Sequence, residues 1–220
     1  MLRNILFSLV AVYMAYSLVT LAYQKRKNFG FVLFIWKRLG LKMILKGLAL
    51  FLFTMFAAFS FYQIPFTHWG WYNLISPSGD VGNVGIAPFV EGTKSSYLVL
   101  RVVSFFFIAL LVLLMPFMTA MEEKVFRRWG LGWSTMVKHS LIFGFLHMIV
   151  GVPIYIALAL SCLGFFLALS YKNQVRNNLF VGVELHYADI EALKHTTALH
   201  TMHNYWILLP LLIVSFLSLF

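Results

Sequence analysis

Residues 140–171, SLIFGFLHMIVGVPIYIALALSCLGFFLALSY, run for 32 positions without a formally charged side chain. An α-helix crosses a bilayer in roughly 20 apolar residues, so this run is too long for one ordinary span and short for two. Gly151 and Pro153 stand near its middle, and proline removes a backbone donor and clashes with the preceding turn. The reading is a helical hairpin over 140–171, two short or tilted arms that return to the side they left.

The same pattern repeats outward from the hairpin. Residues 97–119 form an apolar run, interrupted by Pro116, that delivers Glu122 and Glu123 at its end; residues 172–194 are polar, and 196–220 are apolar again. Residues 4–23 and 47–62 supply two further spans. A cleaved signal peptide fits the first run poorly, because it is long, lacks a small-x-small site and carries its positive cluster, Lys25-Arg26-Lys27, on the far side. The stretch 29–36 is too short to cross and lies among Lys37, Arg38, Lys42 and Lys46, which suits an interfacial amphipathic segment. Residues 63–96, with three prolines and with Trp69, Trp71 and Tyr72, read as a loop anchored at the headgroups. The expected fold is all-α: a polytopic transmembrane helix bundle of about six spans, with residues 1–96 as an N-terminal part and 97–220 as the core.

Composition agrees. The 220 residues are 61% hydrophobic and 11% charged, whereas a soluble domain carries about 25% charged residues. Soluble enzymes, disordered tails and disulfide scaffolds are excluded, and the lone Cys162 permits no internal disulfide. The net charge of +10 would suggest nucleic acid on a soluble chain; here it marks loops held beside anionic lipid, with no nucleic-acid partner. Segments 24–46, 124–138 and 172–194 hold seven, four and three Lys+Arg, 14 of the 17. They are therefore expected on the cytoplasmic side, with both termini outside.

Ionisable groups at membrane depth mark function by default, and three clusters qualify. In Glu122-Glu123-Lys124-Val125-Phe126-Arg127, Glu123 and Arg127 share a helix face and Glu122 points about 100° away. Phe143-Gly144-Phe145-Leu146-His147 places a histidine inside the hairpin run. His195, His200, His203 and Asn204 open the last run, with His200 and Asn204 four apart on one face. Each cluster alone has a plain reading: a charged helix end, a satisfied core histidine, a polar interface. Together they are what amide hydrolysis requires, because a carboxylate sheltered from solvent serves as general base and an imidazole with a carboxamide donates to the developing oxyanion.

The three motifs, Glu122-Glu123-x-x-x-Arg127, Phe143-x-x-x-His147 and His200-x-x-x-Asn204, resemble in order those of the CAAX protease and bacteriocin-processing (CPBP or Abi) family of intramembrane proteases. The resemblance covers about residues 97–215 and includes Phe126 and Gly164. It implies an intramembrane endopeptidase that hydrolyses a peptide bond in a membrane-associated or lipidated peptide or protein, with the active site toward the cytoplasmic side. Glu122 with His147 would activate water, His200 with Asn204 would hold the oxyanion, and Glu123, Arg127 and Phe143 would support them. Three features depart from the family pattern: Arg128 stands where glycine is common, His203 has no counterpart role, and residues 173–194 are long and polar.

No metal cofactor is favoured, since no His-Glu-x-x-His pair pre-forms a site and asparagine is a poor zinc ligand. A zinc site, if one formed, would take Glu122, His147 and His200 as ligands. Three further readings compete with the protease: a non-catalytic membrane scaffold or immunity protein of the same fold, a b-type haem protein with His147 and His200 as axial ligands, and a transporter, for which the sequence offers no broken-helix pair in repeated halves.

Overall fold

The computed structural model describes residues 2–74, 87–127 and 132–220. Within them the chain is all-helical: α1 (Leu2–Lys25), α2 (Gly30–Lys37), α3 (Leu41–Tyr62), α4 (Ala87–Gly92), α5 (Leu98–Arg127), α6 (Trp133–Leu146), α7 (Ile154–Phe180) and α8 (Leu185–Leu217), with short 3-10 turns between some of them. Four helices, α3, α5, α7 and α8, are long and apolar enough to cross a membrane. Their outward faces carry large exposed apolar side chains, such as Phe56, Phe59, Phe106 and Val214. The chain is thus an integral membrane protein in kind.

Several boundaries depart from the sequence reading. The polar segment 172–194 is not a loop: α7 continues to Phe180 and α8 begins at Leu185, so the polar residues ride on two helix ends. The Gln/Arg/Lys and Ala/Glu/Leu residues of these flanks favour helix, and anchoring of each helix in the bundle carries the intervening asparagines. The hairpin breaks where Gly151 and Pro153 require it, since Gly151 takes a left-handed φ of 88° and Pro153 caps α7. Its arms are unequal, 14 residues in α6 and 27 in α7. The loop expected over 63–96 contains two 3-10 turns and α4; residues 75–86 of it, and Arg128, lie outside the described part.

Pro116 does not interrupt its helix either. α5 runs unbroken from Leu98 to Arg127, although a proline at 116 cannot donate to the carbonyl of Val112. That carbonyl instead accepts a 3.0 Å hydrogen bond from Tyr205 Oη on α8, and Tyr205 Oη in turn accepts from Trp36 Nε1 at 2.7 Å. In lipid a freed backbone group must find such a partner, and a neighbouring helix provides it. Trp36 thereby draws α2, the expected interfacial piece, into contact with the bundle, with Val32 and Ile35 buried.

Two apolar clusters fill the interior. One joins α1, α4, α5 and α8 through Leu18, Phe89, Phe107, Ile108, Leu111 and Leu208. The other joins α3, α6, α7 and α8 through Leu50, Phe143, Leu163, Leu167 and Leu199. Three of the basic segments meet at one end of the bundle: Arg38 pairs with Glu191 at 2.8 Å, Lys194 lies over the Phe34 ring, and Lys172 lies over Trp133.

Candidate active site

The site forms where the end of α5 meets the middle of α8. Thr119 and Thr201 join these helices through their hydroxyls at 2.7 Å. One helical turn further along α5, Glu123 is fully buried and holds two partners. Arg127 Nε donates to Glu123 Oε2 at 3.0 Å, and His200 Nδ1 lies 2.9 Å from Glu123 Oε1. A carboxylate only accepts, so His200 carries its proton on Nδ1 and turns Nε2 away. Glu122 faces it: its Oε2 is 3.6 Å from His200 Nε2, longer than a hydrogen bond, and its side chain is 29% exposed. Glu123, His200 and Glu122 therefore form a chain leading from a dry carboxylate, through an imidazole, to a carboxylate that reaches solvent.

Phe143 is the organising ring. It stands 5.7 Å from the His200 ring, 4.8 Å from His147 and 5.2 Å from Phe126, centroid to centroid. The Arg127 guanidinium lies 5.6 Å from its centre. Glycine explains how the ring fits there: a Cβ on Gly164 would stand 2.9 Å from Phe143 Cδ1 and 3.3 Å from Ser140 Cα. A Cβ on Gly144 would fall onto Ser161 Oγ and the Ala157 carbonyl oxygen, so α6 approaches α7 only because residue 144 has no side chain.

Of the sequence-derived residues, the structure brings Glu122, Glu123, Arg127, His200 and Phe143 together. His147 is half-buried against the Phe143 ring, and its Nδ1 is 2.8 Å from the carbonyl of Phe143 in the preceding turn. A carbonyl only accepts, so Nδ1 is the donor in this contact. No hydrogen bond or ion pair among the described residues joins it to Glu122. Asn204 lies one turn beyond His200, where its Nδ2 donates to Met115 Sδ at 3.3 Å and its Oδ1 is 3.1 Å from His203 Nδ1. A thioether is a weak acceptor, so this carboxamide N–H is loosely held.

Helical spacing assigns Glu123 one partner, Arg127; the second, His200, comes from another helix and is 77 positions away. Thr119, Thr201 and Met115 are likewise additions from the structure, and His203 gains a place. His203 is buried against Phe51 with Nε2 unpartnered among the described residues. Its i+3 relation to His200 is a signal present in the sequence, but nothing in one sequence aligns Thr119 with Thr201. Glu122 and His200, two of the three side chains of the zinc version, approach one another, and both His147 and His200 pack their rings against Phe143. No group of three or more His, Cys, Asp or Glu among the described residues is arranged to hold a metal ion.

Compared with known proteins, the chain matches no family model, no curated protein and no solved structure.

Proposed function

We propose that this protein is an intramembrane endopeptidase that cleaves a membrane-associated or lipidated peptide or protein with a water activated by Glu122. The observation that carries the reading is the Glu123–His200–Glu122 chain. A buried carboxylate that orients a histidine and offsets its positive charge is the arrangement that hydrolytic sites use to move a proton. Here the proton leaves the attacking water for Glu122 and is shared with His200 Nε2. It then passes to the amide nitrogen as the C–N bond breaks, leaving carboxylate and amine products.

The geometry supports a shift in roles relative to the motif pattern. His200, with Nδ1 committed to Glu123, is the partner of Glu122 rather than an oxyanion donor. Asn204, whose Nδ2 is held by a thioether alone, is the donor left for the oxyanion. The motif pattern gives His147 a share in activating the same water, although no hydrogen bond or ion pair among the described residues joins it to Glu122. The mechanism needs no metal; in a zinc version Glu122, His147 and His200 would be ligands. The reading includes about six membrane crossings, with α1 and the α6 arm added to the four long helices, a catalytic core over 97–220, and the basic end with the site facing the cytoplasm. The positive-inside count supports that orientation.

The test is comparative proteomics of membrane peptides from cells carrying wild-type protein or Glu122→Gln at equal abundance. Uncleaved precursors should accumulate with Glu122→Gln, and they would name the substrate and the scissile bond. Identical peptide profiles with the biological phenotype intact would favour the non-catalytic scaffold.

A further inference from the structure

On the face of α5 away from Glu123, a groove of about 640 Å³ opens between α1, α2 and α5. Leu21, Phe31, Phe117 and Met121 form its floor, and Lys25, Lys27 and Lys124 stand around it. Among the described residues no Asp or Glu lines it, and Asn28 is the one neutral polar side chain.

We infer that this groove binds an anionic phospholipid, with the phosphate among the three lysines and the upper acyl chain on the apolar floor. Two helices present the same amphiphilic order. α1 passes from Leu21 to Lys25 within one turn, and α5 passes from Phe117 and Met121 to Lys124 along one face. The two ends are joined at Phe117: Phe31 stacks on it at 5.4 Å, and the Lys25 ammonium lies 6.0 Å from its centre. Three cations with no counter-charge lining the groove among the described residues, beside an apolar floor, complement an anionic amphiphile. A peptide would find, among the described residues, Asn28 alone as a neutral side-chain partner for its backbone amides, which argues against a protein occupant. Methionine on the floor adapts to a mobile acyl chain. The inference does not depend on the chemistry of Glu122.

The experiment measures binding of short-chain phosphatidylglycerol and of phosphatidylcholine with the same acyl chains to the full-length protein in neutral detergent, by native mass spectrometry. Phosphatidylglycerol should bind at least about tenfold tighter, and higher salt should weaken it. Lys25→Gln, Lys27→Gln and Lys124→Gln together should lower its affinity by at least about tenfold, since each surface lysine contributes roughly a factor of five. Gly30 lines the groove, and a Cβ added there would meet nothing within 4 Å, which allows a second variant. Gly30→Leu should fill the space and weaken phosphatidylglycerol binding with every lysine in place. Equal affinity for the two lipids would overturn the inference, as would an unaffected triple variant, or glycerol phosphate binding as tightly as the whole lipid. Disulfide crosslinking between copies through Met121→Cys in a Cys162→Ser background, undiminished by phosphatidylglycerol, would also overturn it by assigning the groove to a second copy.

Discussion

The α5–α8 and α6–α7 interfaces are built by opposite means. α5 and α8 are tied by polar side chains: Glu123 to His200, Thr119 to Thr201, and Tyr205 to the Val112 carbonyl. α6 and α7 meet through the absence of side chains at Gly144 and Gly164. In lipid the apolar surroundings give helices little reason to associate, so packing of small residues and interhelical hydrogen bonds take over. The division of labour follows from this. The polar interface fixes the orientation of ionisable groups, whereas the small-residue interface fixes only distance, and so brings Phe143 against them.

Removing charge from the polar interface should have the largest effect. Glu123→Ala leaves Arg127 buried without its carboxylate and frees the His200 ring, and breaking a buried pair in this way costs about 3–5 kcal/mol. Thermal unfolding in detergent should show a large loss, or no folded protein at all. Near-wild-type stability would mean that Glu123 does not organise the interface.

Gly144→Ala should come next. Its methyl group meets a backbone carbonyl of α7, which cannot rotate aside, so helix separation is the response and about 1–3 kcal/mol the expected cost. The same substitution at Gly30, where the space is open, should leave stability nearly unchanged. Comparable losses at both positions would remove close approach as the basis of the α6–α7 contact.

The smallest effect belongs to Thr119 and Thr201. A double-mutant cycle with Thr119→Val and Thr201→Val should give a coupling of about 0.6 kcal/mol, the usual size for such a bond between membrane helices. Each hydroxyl has further options, as Thr119 Oγ1 also reaches the Met115 carbonyl at 3.0 Å. A coupling near zero would confine the polar contribution of this interface to the charged groups.

These contrasts also explain what one sequence makes legible. The membrane class, the break at Gly151 and Pro153, and the Glu123–Arg127 pair all arise from local rules: run length, proline and glycine chemistry, and i,i+4 spacing. Local rules fail at Pro116, where the expected interruption is absent because Tyr205, on a helix 89 positions away in the chain, takes up the Val112 carbonyl. They fail again at 172–194, where polarity alone implies a loop although polar side chains can ride on helix ends that rise out of the apolar layer. At the candidate site the residue types are legible but their partners are not. Glu123 and Glu122 are neighbours in sequence, and only the crossing of α5 with α8 gives the first the Nδ1 and the second the Nε2 of one imidazole.

That shared imidazole is the central claim, and the ¹⁵N shifts of His200 test it most directly. Histidine-labelled protein in lipid bilayers, with the His200 resonances assigned by their loss in His200→Gln, should show Nδ1 protonated and hydrogen-bonded. Glu122→Gln should move the Nε2 signal and leave Nδ1 in place. An unprotonated Nδ1, or an Nε2 signal indifferent to Glu122→Gln, would contradict the account.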